Sequence, residues 1–117
     1  MTVESPQTIA WPEVIQKKLS AIRELARTFG VQRLEVFGSV MTDRYSLFSS
    51  DIDFLVTYPL DYDYGPFLGR YQELQSELGY EMSTRVDLVI SNVARRDGFW
   101  HEANKTRQVI YDAAENP

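Results

Sequence analysis

Three observations in the sequence predict an α/β (α+β) fold, a small β-sheet with flanking helices. Apolar runs of strand length alternate with segments of helical periodicity, an order that packs helices against a sheet. Glycine and proline mark the boundaries between them. The 117 residues, 44% apolar and 13% aromatic, suffice for a single domain over residues 1–117, able to bury roughly 65% of its unfolded surface.

Residues Met1 to Trp11 are polar, contain a proline and read as irregular. Pro12 suits the first turn of a helix. Ile15, Leu19, Ile22, Ala26 and Phe29 then recur at spacings of four, three, four and three, the single apolar stripe of an amphipathic helix that Gly30 stops. Arg33–Phe37 predicts a first strand, Val40–Tyr45 a short helix, Leu47–Ser50 a loop and Ile52–Tyr58 a second strand ending at Pro59. Asp61 to Pro66 is turn chemistry. Phe67, Leu68, Tyr71, Leu74 and Leu78 mark a second long helix, stopped by Gly79. Arg85–Ile90 predicts a third strand. Ser91 or Asn92 is the expected cap of a last helix carrying Phe99, Trp100, Ala103 and Ile110. The order does not say whether the sheet is parallel or mixed.

Composition narrows the chemistry. The chain has no cysteine, which excludes disulfides, thiolate metal sites and a thiol nucleophile. One histidine excludes a multi-histidine metal site within one chain. Twelve Lys and Arg against seventeen Asp and Glu leave a net charge of −5, so nucleic acid is not the expected direct ligand. No apolar run approaches the roughly 18 residues of a membrane span, and the N-terminus lacks the basic-then-apolar pattern of a signal peptide. The expected location is cytoplasmic, with no membrane partner.

The most informative segment is Ser50-Asp51-Ile52-Asp53-Phe54-Leu55-Val56. Side chains alternate faces along a strand, so Ile52, Phe54 and Val56 seek a core while Asp51 and Asp53 share the other face. Adjacent acids resist ionising together unless a cation sits between them. Carboxylate oxygens suit Mg²⁺ or Mn²⁺. In Arg85-Val86-Asp87-Leu88-Val89-Ile90, Asp87 has the same setting opposite an apolar face. If the two strands are neighbours, Asp87 completes a cluster of three acids. Such a cluster can hold two metals about 3.5–4 Å apart for in-line phosphoryl or nucleotidyl transfer. Alone, each motif reads more readily as solvated strand residues. Phe37-Gly38-Ser39 adds a second element: glycine lets a ligand approach the backbone, and Ser39 opens a helix whose free N–H groups and dipole attract a phosphate.

Gly38-Ser39, a gap, Ser50-Asp51-Ile52-Asp53 and the later Val86-Asp87-Leu88-Val89 together resemble the signature of the polymerase-β-like nucleotidyltransferase superfamily. The brevity is similar to its minimal nucleotidyltransferase (MNT) members. The resemblance runs from Val36 to Ile90 and extends to a final helix ending in Val109-Ile110-Tyr111. It implies a small mixed sheet backed by helices. Gly38 and Ser39, with Arg44 and Ser50, would hold a nucleoside triphosphate, usually ATP. Asp51, Asp53 and Asp87 would be the catalytic and metal-binding carboxylates for two Mg²⁺, and Asp87 would help activate an acceptor hydroxyl. AMP would pass to that hydroxyl and pyrophosphate would leave. Minimal members commonly pair with a HEPT-type toxin protein in toxin–antitoxin modules, where the nucleotidyltransferase is the antitoxin and some members adenylylate a toxin tyrosine.

One departure stands out. Many minimal members follow Gly-Ser with a run ending in Arg-Gly, and here Thr42-Asp43 occupies that place. Asp43 is unfavourable beside a triphosphate unless it points away, and Arg44 is the replacement cation. Two alternatives to protein adenylylation follow: a catalytically weak antitoxin that neutralises its partner by stoichiometric binding, and nucleotidylation of a small-molecule hydroxyl. Other features read as scaffold. Asp61 and Asp63 fit a turn, Tyr58, Tyr62 and Tyr64 fit packing at the sheet edge, and His101 fits a helix surface.

Overall fold

The computed structural model describes residues 11–46, 51–93 and 98–115. Its sheet has four strands in the order β3-β2-β1-β4: β1 Arg33–Phe37, β2 Ile52–Thr57, β3 Val86–Ile90 and β4 Gln108–Asp112. β1 runs antiparallel to both β2 and β4, whereas β2 and β3 are parallel, so the sheet is mixed. The helices are α1 Glu13–Gln16, α2 Leu19–Thr28, α3 Gly69–Met82 and α4 Phe99–Ala103. The antiparallel β1 and β2 are joined by residues 38–51, while the parallel β2 and β3 are joined through α3, as a crossover requires.

The core lies on one face. Ile15 of α1, Ile22 and Ala26 of α2 and Leu74, Leu78 and Met82 of α3 pack against Leu34, Val36, Ile52, Phe54, Val56, Val86, Leu88 and Ile110 of the strands. The apolar stripe expected for the first helix is therefore buried, but the helix is two pieces. Lys18, at φ −118° and ψ 7°, breaks it between α1 and α2. Ile15 and Ile22 still reach the core because the break preserves their phase. At the far end Gly30 adopts φ +67°. Its N–H donates to the Arg27 carbonyl and the Val31 N–H to the Ala26 carbonyl, the Schellman closure that a left-handed glycine permits.

Five further expectations are corrected. α3 starts only at Gly69, because Phe67 and Leu68 take left-handed φ of 55° and 57° and stay exposed. α3 passes through Gly79 and ends at Ser83, which takes the left-handed φ of 55°. Continuing the helix places Met82 in the core, which outweighs the roughly 1 kcal/mol cost of a helical glycine. The short helix expected over Val40–Tyr45 is a single 3₁₀ turn, Ser39–Met41, after which Thr42 is extended. The last helix ends at Ala103, and Val109-Ile110-Tyr111 lies in β4. A β-branched and aromatic run fits the pleated surface, and pairing it there covers the open edge of β1. Ser91 and Asn92 lie in a turn away from that helix, whose N-cap is Gly98.

The irregular stretch at residues 1–10 and the loop at 47–50 fall outside the described residues. Among the described residues, no helix is long and apolar enough to cross a membrane.

Candidate active site

The second face of the sheet carries a smaller cluster, Phe37, Leu55 and Ala103, with Val89, Phe99 and Trp100 packed on it. Here the alternation of β1, β2 and β3 places the polar residues of the site. Asp53 is level with Phe37 of β1 on one side and with Asp87 of β3 on the other. The parallel register thus sets two of the expected carboxylates side by side on adjacent strands. Asp51 precedes β2, is exposed, and lies 3.8 Å from the Arg85 guanidinium. Ser50 lies outside the described residues.

The electrostatics follow from this register. The Asp53 carboxyl is pushed up to about 6, first by burial and then by the charges of Asp87 and Asp51. A cation would remove that penalty, and an all-oxygen donor set of aspartates suits a hard divalent ion. Among the described residues no group of three acidic, histidine or cysteine side chains is disposed as a complete metal cage. Asp53 and Asp87 are the adjacent donors, and Asp51 is drawn towards Arg85.

Gly38 joins this acid pair to the neighbouring cleft. It adopts φ +84°, and a Cβ there would collide with the Asp53 carboxylate. Both facts require glycine: the conformation disfavours L side chains, and the space belongs to an acid. Its N–H donates to the Thr106 hydroxyl at 2.8 Å, tying the Gly-Ser turn to the segment between α4 and β4. The expected phosphate cradle is therefore altered. One backbone donor is already engaged, and one 3₁₀ turn aligns too few peptide dipoles to supply the field of a helix end.

Beside Gly38 opens a cleft of about 940 Å³. Ser39, Thr42, Arg44, Lys105 and Thr106 supply its polar wall, and Phe37, Phe99 and Ala103 its apolar wall. Arg44 faces this cleft. Asp43 instead borders a separate depression with Glu13, Lys17 and Tyr45. The acid in the Thr42-Asp43 departure thus points away, and the neighbouring arginine lines the cleft.

α4 is held over this face by a buried ion pair. Glu35 in β1 is 3% exposed and accepts two hydrogen bonds from Arg107, Nε to Oε1 at 2.9 Å and Nη2 to Oε2 at 3.0 Å. The Arg107 guanidinium also lies 5.2 Å from the Trp100 ring centroid. Phe99 meets Phe37 edge-on at 5.8 Å. The adjacent aromatics Phe99 and Trp100 thus both pack on the second face.

Sequence reasoning missed Glu35, Glu102, Lys105, Thr106 and Arg107. The available signal was the β-branched run of β4: recognising it as a strand turns residues 104–107 into a loop over the open face. The scaffold readings fare differently. Tyr58, Tyr62 and Tyr64 form a ring cluster with centroids 4.4–5.1 Å apart, and the Gly65 N–H donates to Asp63 Oδ1 at 2.9 Å, the expected turn. His101 is exposed.

The family model for a nucleotidyltransferase domain matches residues 16–113. Comparison with curated proteins finds no significant match. Several solved structures share the fold. One, provisionally identified as a minimal nucleotidyltransferase, is 24% identical, with a TM-score of 0.62 over 86% of this chain and 97% of that one. A second comes from a complex of a tri-AMPylated Shewanella oneidensis HEPN toxin with its MNT antitoxin; it is 20% identical, with a TM-score of 0.59 over 86% and 75%. A third, from a toxin–antitoxin structure with AMP-PNP, is 22% identical, with a TM-score of 0.63 over 84% and 76%.

Proposed function

The chain belongs to the nucleotidyltransferase-domain family, and from that premise we propose that it transfers AMP from ATP to a hydroxyl of a partner protein. It does so as a single MNT-type antitoxin domain acting on a HEPT-type (HEPN) toxin in the cytoplasm. The observation that carries the reading is the register of β1, β2 and β3. It sets Asp53 beside Asp87 and presses the Asp53 carboxylate against Gly38, which itself lines a nucleotide-sized cleft. The relatives solved with a toxin and with AMP-PNP support the choice of partner and nucleotide.

In this reading Asp51, Asp53 and Asp87 would hold Mg²⁺, which would supply charge neutralisation for the phosphates and lower the pKa of the acceptor hydroxyl. The chain's own residues position the reactants. Gly38 and Ser39 bring backbone and hydroxyl close to the triphosphate, Arg44 offers it a cation, and Ser50, next to Asp51 in the sequence, completes the proposed nucleotide-binding set. The acceptor oxygen bonds the α-phosphorus while the bond to the bridging oxygen breaks. Pyrophosphate leaves with that electron pair, and Asp87 receives the hydroxyl proton. The acceptor hydroxyl, in this reading, arrives on the partner protein.

Incubation with labelled ATP, Mg²⁺ and the product of the adjacent gene tests the reading. Label on the partner, lost with Asp51→Asn plus Asp53→Asn, is the expected result, and no transfer with any divalent metal contradicts it. The Arg85 guanidinium 3.8 Å from Asp51 offers that acid a protein partner in place of a cation, which favours a second reading, neutralisation by stoichiometric binding. Under that reading the double variant still restrains the toxin and co-purifies with it.

A further inference from the structure

The cleft has a charged pole that packing does not explain. Lys105 Nζ lies 3.0 Å from Glu102 Oε2, with side chains 56% and 71% exposed, and both residues line the cleft together with Arg44. An exposed pair three residues apart adds little to stability, so its placement matters more than its energy. Lys105 directly precedes Thr106, whose hydroxyl accepts the Gly38 N–H. The segment that carries the lysine is therefore anchored on the Gly-Ser turn. The Glu102 carboxyl is held below its ordinary range, first by the hydrogen bond from Lys105, then by the lysine charge, with smaller contributions from His101 and Arg44. Glu102 is thus an ionised carboxylate in a cationic corner of the cleft.

Two cations beside a Gly-Ser turn match the chemistry of a polyphosphate, which binds through charge-assisted hydrogen bonds. The Glu102 carboxylate engages the same ammonium group with the same kind of oxygen. We propose that Arg44 and Lys105 form the polyphosphate-binding pole of the cleft, and that Glu102 competes with the ligand for Lys105 and so limits its affinity. This rests on the nucleotide reading above and deepens it. Binding a triphosphate exchanges carboxylate for phosphate at Lys105, and the reverse exchange helps a polyphosphate product leave.

Titration calorimetry of the full chain with inorganic tripolyphosphate, and separately with ATP and Mg²⁺, tests this. Lys105→Ala and Arg44→Ala each weaken binding about tenfold, the scale of one charge-assisted hydrogen bond. Glu102→Gln tightens it several-fold, and Glu102→Gln with Lys105→Ala behaves as Lys105→Ala alone. Melting curves without ligand confirm that the variants fold, since the altered side chains are exposed. The proposal is overturned if Glu102→Gln binds no more tightly than the parent, if Lys105→Ala binds equally well, or if neither parent nor Glu102→Gln binds either ligand. AMP transfer is scored separately. Affinity shifts without any transfer contradict the activity and leave this inference standing, whereas transfer without affinity shifts does the reverse.

Discussion

On one face of the sheet Leu34, Val36, Phe54 and Val56 disappear beneath α1, α2 and α3, while on the other Glu35, Asp53 and Asp87 of the same strands share the surface with Phe37 and Leu55. The first face is apolar throughout, and each of its large side chains contributes roughly 1.5–3 kcal/mol by leaving water. The second holds one buried acid only because Arg107 grips both its oxygens. It also holds Asp53, whose ionisation is disfavoured by burial and by the charge of the adjacent Asp87. One period-two alternation therefore separates the residues that stabilise the fold from those that strain it. The strained ones are the candidate site, as expected where function rather than stability dictates residue type.

The largest effect on stability belongs to the closed face. Phe54→Ala removes a fully buried ring and costs about 3–5 kcal/mol in chemical denaturation. On the open face the buried ion pair is the most sensitive point. Arg107→Ala strands a nearly inaccessible Glu35 carboxylate and costs about 3 kcal/mol. Replacing both residues with apolar ones of similar volume recovers much of that loss, so the double variant, compared in the same denaturation series, separates a stranded charge from lost packing. Gly38→Ala is next, at about 1–3 kcal/mol for the left-handed φ alone, and the displaced Asp53 carboxylate should weaken divalent-metal binding as well.

The smallest effect, and the one that most sharpens the comparison, concerns pH. The folded-state carboxyl of Asp53 titrates near 6 against an ordinary 3.8. Between those values the folded chain holds a proton that the unfolded chain has released. This group's contribution to stability is therefore fully present below about pH 4 and is lost as pH rises through 6. Asp53→Asn should stabilise the protein above pH 6 by on the order of 1 kcal/mol, after screening of a partly exposed group, and leave it unchanged near pH 4. Thermal melts across pH measure this. Added Mg²⁺ should stabilise the parent most at the alkaline end, where the acids are ionised.

How much of this was legible in the sequence divides along the same line. Ile52, Phe54 and Val56 opposite Asp51 and Asp53 announce a two-faced strand, because strand periodicity is local. The Gly-Ser turn was equally legible as a motif, although its 3₁₀ geometry was not. β4 was hidden because Ala103 and Ile110 are seven residues apart, a helical spacing that masked the one local signal for a strand, the β-branched and aromatic run Val109-Ile110-Tyr111. The break at Lys18 was hidden for the same reason: Ile15, Leu19 and Ile22 keep a helical rhythm across it. The Glu35–Arg107 pair and the Thr106 anchor join positions 72 and 68 residues apart in the chain. Only the β1–β4 pairing brings them together, so no window of sequence contains either.

In the proposed function the open face performs nucleotidyl transfer and the closed face supports it. The most direct measurement is AMP transfer to the partner, set beside melting temperature, for the parent and for Asp53→Asn with Asp87→Asn. This variant should melt no lower than the parent and lose transfer by roughly 10³-fold or more, the scale of removing electrostatic groups at a reacting phosphate. Undiminished transfer by a folded Asp53→Asn, Asp87→Asn protein would contradict it.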